Sequence, residues 1–462
     1  MTDTVASETA MSNGGGDGAT VEQGEPPVPV WPPRKPSRQF LLGIGLIALI
    51  ALGVRVYFVL VGYAHYKVAG DAVYYHLQGW SLADGHGFIN PIDFYRSGGK
   101  TLVPSAGNPP LYAMYLGVVS KLGFWSVTAH RLASSLLGTG AVVLIGLVGR
   151  LIRSERVGLV AAATAALYAN LWINDGMLLS ESMAALTLAL VLLAAYAFWR
   201  RPRLASAARL GLALGVAALS RGEVVLLAPL LVLPLLWGMR RLTVGRRFRL
   251  LVVTALAMLL LVGPWVGYNL TRFEKPVFMT DHWGTVLEAA SCHDAYYGRY
   301  AGWYANCDLR RHRGDASEQD ATLRSEALHY TRAHLRRLPV LMLIRVGRMW
   351  DVYRPGQTLF LNAVLEGRTR AASRLALIST WLLMPLAIAG VIVLRRRRVP
   401  ITPILAPAIV VTIAAAITYG VLRYRVSAEP GIVLAAAVSI DVLWASLVDP
   451  RRAGARKRDV VA

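Results

Sequence analysis

The chain has 462 residues, of which 55% are hydrophobic and 16% are charged, and its mean hydropathy is +0.46. A soluble domain usually carries roughly 25% charged residues, so this composition excludes an ordinary soluble enzyme. Lys and Arg number 49 against 27 Asp and Glu, which gives a net charge of +22. The basic residues lie in short clusters between apolar runs, where they set membrane orientation, so the charge does not indicate nucleic-acid binding.

The first 38 residues are rich in Gly, Pro and Ser and lack periodic apolar positions. Such a segment cannot bury enough apolar surface to fold alone, so we predict a disordered cytoplasmic tail over 1–38. The tail ends in Arg34, Lys35 and Arg38, directly before an apolar run at 39–62. This run is too long and too far from the start of the chain for a cleaved signal peptide, so it predicts a retained first spanning helix.

Nine further apolar runs predict membrane-spanning helices, although those at 206–220 and 223–238 are short for a bilayer of about 30 Å. The nine are about 129–151, 157–174, 178–199, 206–220, 223–238, 248–268, 371–394, 401–420 and 429–448. Arginine clusters follow alternate spans, which places both termini, including a basic tail at 449–462, in the cytoplasm. The sequence therefore predicts an all-α polytopic membrane protein of about ten helices, with external segments at 63–128 and 269–370.

The two external segments are richer in polar, aromatic and turn-forming residues than the spans. Within the second, apolar residues alternate at helical spacing with Arg and His over 322–350, which predicts an amphipathic helix at the membrane interface. The chain's two cysteines, Cys292 and Cys307, also lie there. Two cysteines in one external loop favour a disulfide formed in an oxidising compartment, the alternative being two unrelated free thiols.

Acidic residues avoid the middles of the spans and cluster in external loops and at external helix ends. They are Asp71, Asp84, Asp93, Asp175, Glu181 and Glu223. A transporter normally has ionisable residues near the bilayer midplane and internal repeats, and neither is found in the sequence. The pattern favours an active site at the outer face. A lipid or sugar transporter or flippase is the alternative, and a non-catalytic assembly partner is a third possibility.

Five motifs occur in an order and on a membrane side that resemble one family of membrane enzymes. They are GDAVYY with Asp71, LADGHGF after it, Pro-Pro-Leu-Tyr at 109–112, SES at 180–182 and RYRVSAEPGIVLAAA at 423–437. Over residues 39–448 the chain resembles the GT-C superfamily of glycosyltransferases. The similar branch is family 39-like and includes protein O-mannosyltransferases and aminoarabinose transferases. Asn108 stands where that branch usually has His.

The resemblance implies inverting transfer of a sugar from a polyprenyl-phosphate donor to an acceptor hydroxyl at the outer face of the cell membrane. The acceptor would be a cell-envelope glycan, lipid or protein. An acceptor hydroxyl needs a base, and Asp71 fits that role; the alternative is a helix-capping Asp after Gly70. A phosphate leaving group needs cations that neutralise its charge rather than a strong acid.

Other charged residues have candidate roles in the same reaction. Glu181 is a second catalytic acid or orients the acceptor, unless it is only a polar residue at a helix end. Arg221, Arg423 and Arg425 lie at predicted external ends, where they could bind the donor phosphate bidentately. The alternative for these arginines is snorkelling to lipid headgroups. Lys67 is a further candidate for the phosphate.

Aromatic and histidine side chains surround Asp71 in the sequence. Tyr74 and Tyr75 are candidates for stacking on the sugar, the alternative being aromatic residues of the membrane interface. Three histidines could bind a divalent metal, but their spacing matches no known ligand pattern, so we expect no metal or cofactor. They are His65, His76 and His86.

Overall fold

A computed structural model describes residues 35–307 and 313–448. The predicted tail at 449–462 lies outside these residues, as does the predicted tail at 1–38 except for residues 35–38. The regular secondary structure of the described chain is helical apart from one isolated antiparallel bridge. The first helices are α1 (Arg38–Tyr57), α2 (Asp71–Ala83), α3 (Pro91–Arg96), α4 (Pro110–Lys121), α5 (Val127–Ile152), α6 (Glu155–Leu167), α7 (Ala169–Met177), α8 (Glu181–Arg200), α9 (Leu204–Ser220) and α10 (Leu227–Gly238).

The second half of the chain continues in the same way. Its helices are α11 (Val244–Leu270), α12 (Trp283–Ala289), α13 (His293–Tyr296), α14 (Ala316–Ala333), α15 (Leu338–Met349), α16 (Pro355–Val364), α17 (Arg370–Arg396), α18 (Thr402–Ile417) and α19 (Glu429–Val448). A π-helical turn, Phe58–Gly62, extends α1, and 3-10 turns at Gly222–Leu226 and Leu422–Ser427 precede α10 and α19. The prediction of an all-α fold is confirmed.

The described helices include six that are long and apolar enough to cross a membrane: α1 with its π-helical turn, α5, α8, α11, α17 and α19. Helices α6 and α7 make a seventh if their 47° bend lies within one span. The predicted count of ten is not confirmed, because α9, α18 and the apolar helix at Gly222–Gly238 are shorter. At 1.5 Å per residue, 17 residues reach only about 26 Å.

The long helices form a bundle whose outer faces are apolar. Helix α1 exposes Leu42, Leu46 and Leu49, which are 60 to 68% accessible. Helices α5, α8 and α19 are mostly buried inside the bundle. A chain with several such helices is a multi-pass membrane protein.

Small residues let the inner helices approach closely. A Cβ atom added at Gly390 of α17 would collide with the carbonyl oxygen of Ala435 in α19. One added at Gly211 of α9 would collide with the carbonyl oxygen of Thr254 in α11. Lipid gives little hydrophobic drive for helices to associate, so this close backbone contact is what stabilises the bundle.

The predicted alternation of helix ends can be followed through contacts at one end of the bundle. The backbone N–H of Ser37, before α1, donates to Glu155 Oε1 at the start of α6 over 2.9 Å. Arg153, between α5 and α6, binds Asp441 near the end of α19 over 2.8 Å. These contacts bring together chain segments that the sequence predicted to lie on one side of the membrane. The acidic residues of the candidate site lie at the opposite end.

The amphipathic helix predicted over 322–350 is wrong in detail. The structure has two helices there, α14 and α15, separated by a turn, because Pro339 favours the start of a new helix. The arginines of α15 also do not face water: Arg345 is 2% exposed and Arg348 is fully buried. They donate to the backbone carbonyls of Ala290 and Ala301 over 2.5 and 2.8 Å. Helix α15 therefore packs its arginine face into the protein and leaves Val340 and Leu343 exposed.

The predicted disulfide is confirmed, since Cys292 and Cys307 are joined. The loop that they close buries Trp303, which packs against Leu361 and Val421. The disulfide loop is thereby fixed beside the 3-10 turn Leu422–Ser427, which carries the central residue of the candidate site.

Candidate active site

One arginine binds three carboxylates at the end of the bundle opposite the arginine-rich turns. Arg423 Nη2 lies 2.5 Å from Asp71 Oδ2, Arg423 Nη1 lies 3.1 Å from Glu366 Oε2, and Arg423 Nε lies 3.4 Å from Glu181 Oε1. We call Asp71, Glu181, Glu366 and Arg423 the carboxylate centre. Its members come from α2, α8, the α16–α17 connection and the turn before α19, so the fold assembles it from distant parts of the chain.

Asp71 is the most accessible of the three carboxylates, with 43% of its side chain exposed. It is the first residue of α2 and follows Gly70, whose φ of +54° favours glycine. Gly70 is the N-cap residue and Asp71 instead binds Arg423, so a capping role does not account for the side chain. Desolvation raises the pKa of Asp71, but Arg423, helped by His282 and Arg221, outweighs it and holds the pKa below its ordinary value. The carboxylate is therefore ionised at neutral pH.

Glu181 lies deeper, at the start of α8, with only 1% of its side chain exposed. Arg221 binds its Oε1 over 3.1 Å and also binds Glu223 over 2.5 Å. The guanidinium of Arg221 lies 5.7 Å from the ring centre of Tyr424. Two guanidinium groups thus hold Glu181 in place, and a carboxylate at a helix N-terminus is favoured by the helix dipole.

Glu366 is a member of the centre that the sequence did not single out. It is 7% exposed and lies in the connection between α16 and α17. Tyr304, just before Cys307, hydrogen-bonds to it. The available signal was an acid close to the outer end of a span, which Glu366 shares with other external acids.

Arg425 does not join the carboxylate centre. A 3-10 helix has three residues per turn, so side chains two residues apart point about 120° away from each other, and Arg423 and Arg425 extend in different directions from the same turn. Arg425 is 1% exposed and binds Asp351 over 2.8 Å and Glu429 over 2.7 Å. This separate buried cluster anchors the turn that presents Arg423.

The remaining candidates lie around the centre at different depths. Tyr75 is 3% exposed and hydrogen-bonds to Ser180, next to Glu181. Tyr74 is 8% exposed, and its hydroxyl lies 3.0 Å from Ser105 Oγ. Lys67 is exposed in the loop before α2. Both tyrosines are therefore part of the packed wall of the site rather than open rings.

Asp175 lies near the end of α7, as expected, but it is not part of the carboxylate centre. It is fully buried in α7 and pairs with Arg55 of α1 over 2.9 Å. Gly138 of α5 makes room for the pair, since an added Cβ would lie 2.6 Å from Asp175 Oδ2. This ion pair joins α1 to α7, packs against α5 and lies away from solvent.

The histidines near Asp71 in sequence do not gather around it. His76 Nδ1 lies 3.1 Å from His130 Nδ1, and His130 Nε2 lies 2.9 Å from Ser120 Oγ. His86 packs against Phe94. Across residues 35–307 and 313–448, no group of three or more His, Cys, Asp or Glu side chains is arranged to hold a metal ion.

Two comparisons relate this architecture to known proteins. Residues 107–268 match the family model of dolichyl-phosphate-mannose-protein mannosyltransferases. A search of curated proteins found no significant match. The matched residues include the Pro-Pro-Leu-Tyr motif, Glu181 and Arg221.

Solved structures match over most of the chain. The oligosaccharyltransferase of Archaeoglobus fulgidus tethered to an acceptor peptide with the NVT sequon is 16% identical and has a TM-score of 0.54, covering 89% of this chain and 51% of that one. The same organism's AglB with an inhibitory peptide and a dolichol-phosphate is 15% identical, with a TM-score of 0.53 and coverage of 90% and 51%.

ArnT from Cupriavidus metallidurans bound to undecaprenyl phosphate is 15% identical, with a TM-score of 0.42 and coverage of 89% and 79%. This chain spans about half the length of the archaeal structures. At these identities the matches to the archaeal structures show a similarity of fold. The resemblance indicated by the sequence is thus confirmed: the chain has the fold of the GT-C membrane glycosyltransferases and, over residues 107–268, sequence similarity to their mannosyltransferase branch.

Proposed function

We propose that the protein is an inverting glycosyltransferase that moves a sugar from a polyprenyl-phosphate donor to an acceptor hydroxyl. The observation that carries the proposal is Asp71, an ionised and partly exposed carboxylate at the edge of the carboxylate centre in a GT-C fold. Such a group can accept a proton while the rest of the centre stays buried. The acceptor belongs to the cell envelope and is a glycan, a lipid or a protein.

In the proposed reaction the acceptor oxygen attacks the anomeric carbon of the sugar from the face opposite the phosphate. The bond between that carbon and the phosphate oxygen breaks, and its electron pair leaves with the polyprenyl phosphate. The proton of the acceptor hydroxyl passes to Asp71 as the new bond forms. General base catalysis of this kind typically contributes 10²- to 10⁴-fold in rate.

The cations of the centre serve the leaving group in this proposal. Arg221 and Arg423 stabilise the negative charge that develops on the phosphate, since fixed cations in a site of low water content are effective there. Glu181 orients the acceptor and holds both arginines. Lys67 contributes to the donor side, whereas Tyr74 and Tyr75 form the packed wall of the site and do not stack on the sugar. Arg425 positions Arg423. The burial of Arg425 between Asp351 and Glu429 supports this role.

The disulfide supports an external location for the centre. Disulfides persist in oxidising compartments, and the segment that contains Cys292 and Cys307 is linked to the turn of Arg423. The link is a hydrogen bond from the backbone N–H of Gly420 to the carbonyl oxygen of Gly302 over 2.8 Å. A donor in the outer leaflet would present its sugar at this end of the bundle.

Transfer by purified Asp71→Asn protein tests the proposal. The reaction would contain a radiolabelled polyprenyl-phosphate sugar and envelope extract as the acceptor, and lipid-linked and acceptor-linked products would be separated. We expect normal donor binding and a loss of turnover of about 10² or more. Asp84→Asn, at the end of the same helix, is the matched control and should be close to wild type. Near-normal transfer by Asp71→Asn with an inactive Glu181→Gln would move the base to Glu181.

A further inference from the structure

His282 is a half-exposed histidine that the sequence did not single out. It lies between α11 and α12, and 49% of its side chain is exposed. Its Nδ1 lies 2.8 Å from the carbonyl oxygen of Gly107, just before the Pro-Pro-Leu-Tyr motif. Because a carbonyl oxygen can only accept, Nδ1 carries the proton in this contact, and Nε2 of the neutral ring is left as an acceptor. In the described part of the chain, no group donates a hydrogen bond to Nε2.

The segment that carries His282 is fixed against the loop before α4. The backbone N–H of Ala106 donates to Asp281 Oδ2 over 2.8 Å, and the backbone N–H of Asp281 donates to the carbonyl oxygen of Ala106 over 3.1 Å. The side chain of Asp281 is 2% exposed, and its Oδ1 lies 3.7 Å from His282 Nδ1. These contacts hold the imidazole in place before any substrate binds, as a binding group requires.

The imidazole of His282 lies beside the helix that carries Asp71. An added Cβ at Gly107 would lie 2.7 Å from His282 Cε1 and 3.2 Å from Tyr74 Cζ, so the two rings meet over this glycine. Tyr74 is one turn after Asp71 in α2, and residues three apart on a helix have Cβ atoms about 5–6 Å apart. Desolvation raises the pKa of Asp71, whereas Arg423 and, to a smaller extent, His282 lower it. The histidine and the proposed base are therefore neighbours.

The arginines proposed to bind the phosphate lie on a different side of Asp71. Both of them bind Glu181, and Tyr75 hydrogen-bonds to the residue before it. Tyr74, by contrast, meets the ring of His282. Consecutive residues of an α-helix point about 100° apart, so α2 presents different faces to the arginines and to the imidazole. An acceptor that attacks from the face of the sugar opposite the phosphate would therefore arrive on the side of His282.

We propose that His282 is an acceptor-binding residue of the transfer reaction. Its Nε2 accepts a hydrogen bond from a second hydroxyl of the acceptor while the reacting hydroxyl gives its proton to Asp71. The two contacts together determine which hydroxyl is glycosylated. The inference rests on the proposed function, in which Asp71 is the base, and adds to it a group that orients the acceptor.

Two substitutions at His282 separate binding from a purely structural role. In His282→Asn the amide nitrogen takes the place of Nδ1 and keeps the bond to Gly107, but nothing replaces Nε2. His282→Gln places its amide near the position of Nε2 and gives up the bond to Gly107. The first variant therefore keeps the loop contact and loses the acceptor contact, and the second does the reverse.

Transfer kinetics of the purified full chain measure the difference. The probes are the radiolabelled polyprenyl-phosphate sugar that the wild type transfers and serial dilutions of one envelope extract, so that apparent KM values for donor and acceptor are obtained separately. We expect His282→Asn to raise the KM for the acceptor about three- to tenfold, the loss of one hydrogen bond, with the KM for the donor unchanged. His282→Gln should lie closer to wild type in acceptor KM but unfold more easily than His282→Asn.

Two more variants complete the experiment. His293→Asn, at an exposed histidine of α13, is the matched control and should leave both KM values unchanged. Gly107→Ala keeps the imidazole, but its Cβ displaces the ring, so the KM for the acceptor should rise in this variant as well.

Three outcomes would overturn the proposal. If His282→Asn matches the wild type and only His282→Gln is impaired, the histidine only joins two loops. A higher KM for the donor in His282→Asn would place the ring on the donor side. If His282→Asn does not fold, an unchanged acceptor KM in Gly107→Ala decides against the proposal. An active Asp71→Asn variant would refute the proposed base without changing the result for His282, so the two proposals fail separately.

Discussion

Replacement of Arg423 by Gln removes the cation at the middle of the carboxylate centre, and the three carboxylates should respond differently. Glu181 keeps its ion pair with Arg221. Asp71 is 43% exposed and can be solvated by water. Glu366 is 7% exposed and loses the ion pair that it forms in the described part of the chain. The main cost of Arg423→Gln should therefore come from Glu366.

The size of this effect follows from the burial of the pair. Removing one partner of a buried ion pair lowers the free energy of unfolding by about 3–5 kcal/mol. Because Arg423 is partly exposed, we expect a loss at the lower end of this range, about 3 kcal/mol. Adding Glu366→Gln removes the unpaired charge, so the double variant should regain roughly 1–2 kcal/mol of that loss. Unfolding in SDS titrations, followed by tryptophan fluorescence, measures both free energies. Equal stability of the single and double variants would refute the reasoning.

The same variant should change the pH dependence of transfer. In the wild type Arg423 outweighs desolvation and lowers the pKa of Asp71, so the base stays ionised below the ordinary pKa of about 3.9. Without Arg423, desolvation raises the pKa, and the base becomes protonated at a higher pH. The acid limb of kcat/KM should therefore move to higher pH in Arg423→Gln. An unmoved acid limb would show that Asp71 is not the group that titrates.

Three further predictions concern other parts of the molecule. Replacing Cys292 and Cys307 by Ser should lower the free energy of unfolding by about 3 kcal/mol, because the disulfide closes a loop of 15 residues. In wild-type membranes, mass spectrometry without reduction should find neither cysteine alkylated. Ser325→Cys should react with a membrane-impermeant maleimide in intact cells, whereas Arg396→Cys should react only after permeabilisation. The reverse pattern would contradict the predicted membrane orientation. Burial, then Arg131, lowers the pKa of His76, so protonation favours the unfolded chain. Stability should be greatest above pH about 6.5 and fall below it, with a smaller slope in His76→Gln.

The spans were predictable because hydropathy depends on composition over about 20 residues, which a single sequence contains in full. The number of membrane crossings was not predictable, because a helix of 17 residues such as α9 can cross the bilayer, end within it or tilt according to its neighbours. The break between α14 and α15 had a local signal in Pro339, but the burial of Arg345 and Arg348 depends on partners from distant segments. Hydrophobic periodicity alone cannot distinguish a packed helix from an interfacial one.

The site was predictable in part for a similar reason. Asp71 and Glu181 follow or begin apolar runs in recognisable motifs, whereas Glu366 has only its position near a span. Arg423 and Arg425 are two residues apart in one motif, and their different environments arise from the 3-10 turn that carries them. A local motif therefore identified the right segment but not which arginine joins the carboxylate centre.

The ion pair between Asp71 and Arg423 joins residues 352 positions apart, which has a consequence for biosynthesis. The ribosome makes Asp71 and Glu181, in α2 and α8, long before it makes Arg423. Until the turn before α19 is made, Asp71 and Glu366 lack their ion pairs with Arg423, and the site is incomplete. Catalytic competence would then arise late, in a single step with the docking of the final helix, so that partly inserted chains could not consume lipid-linked sugar.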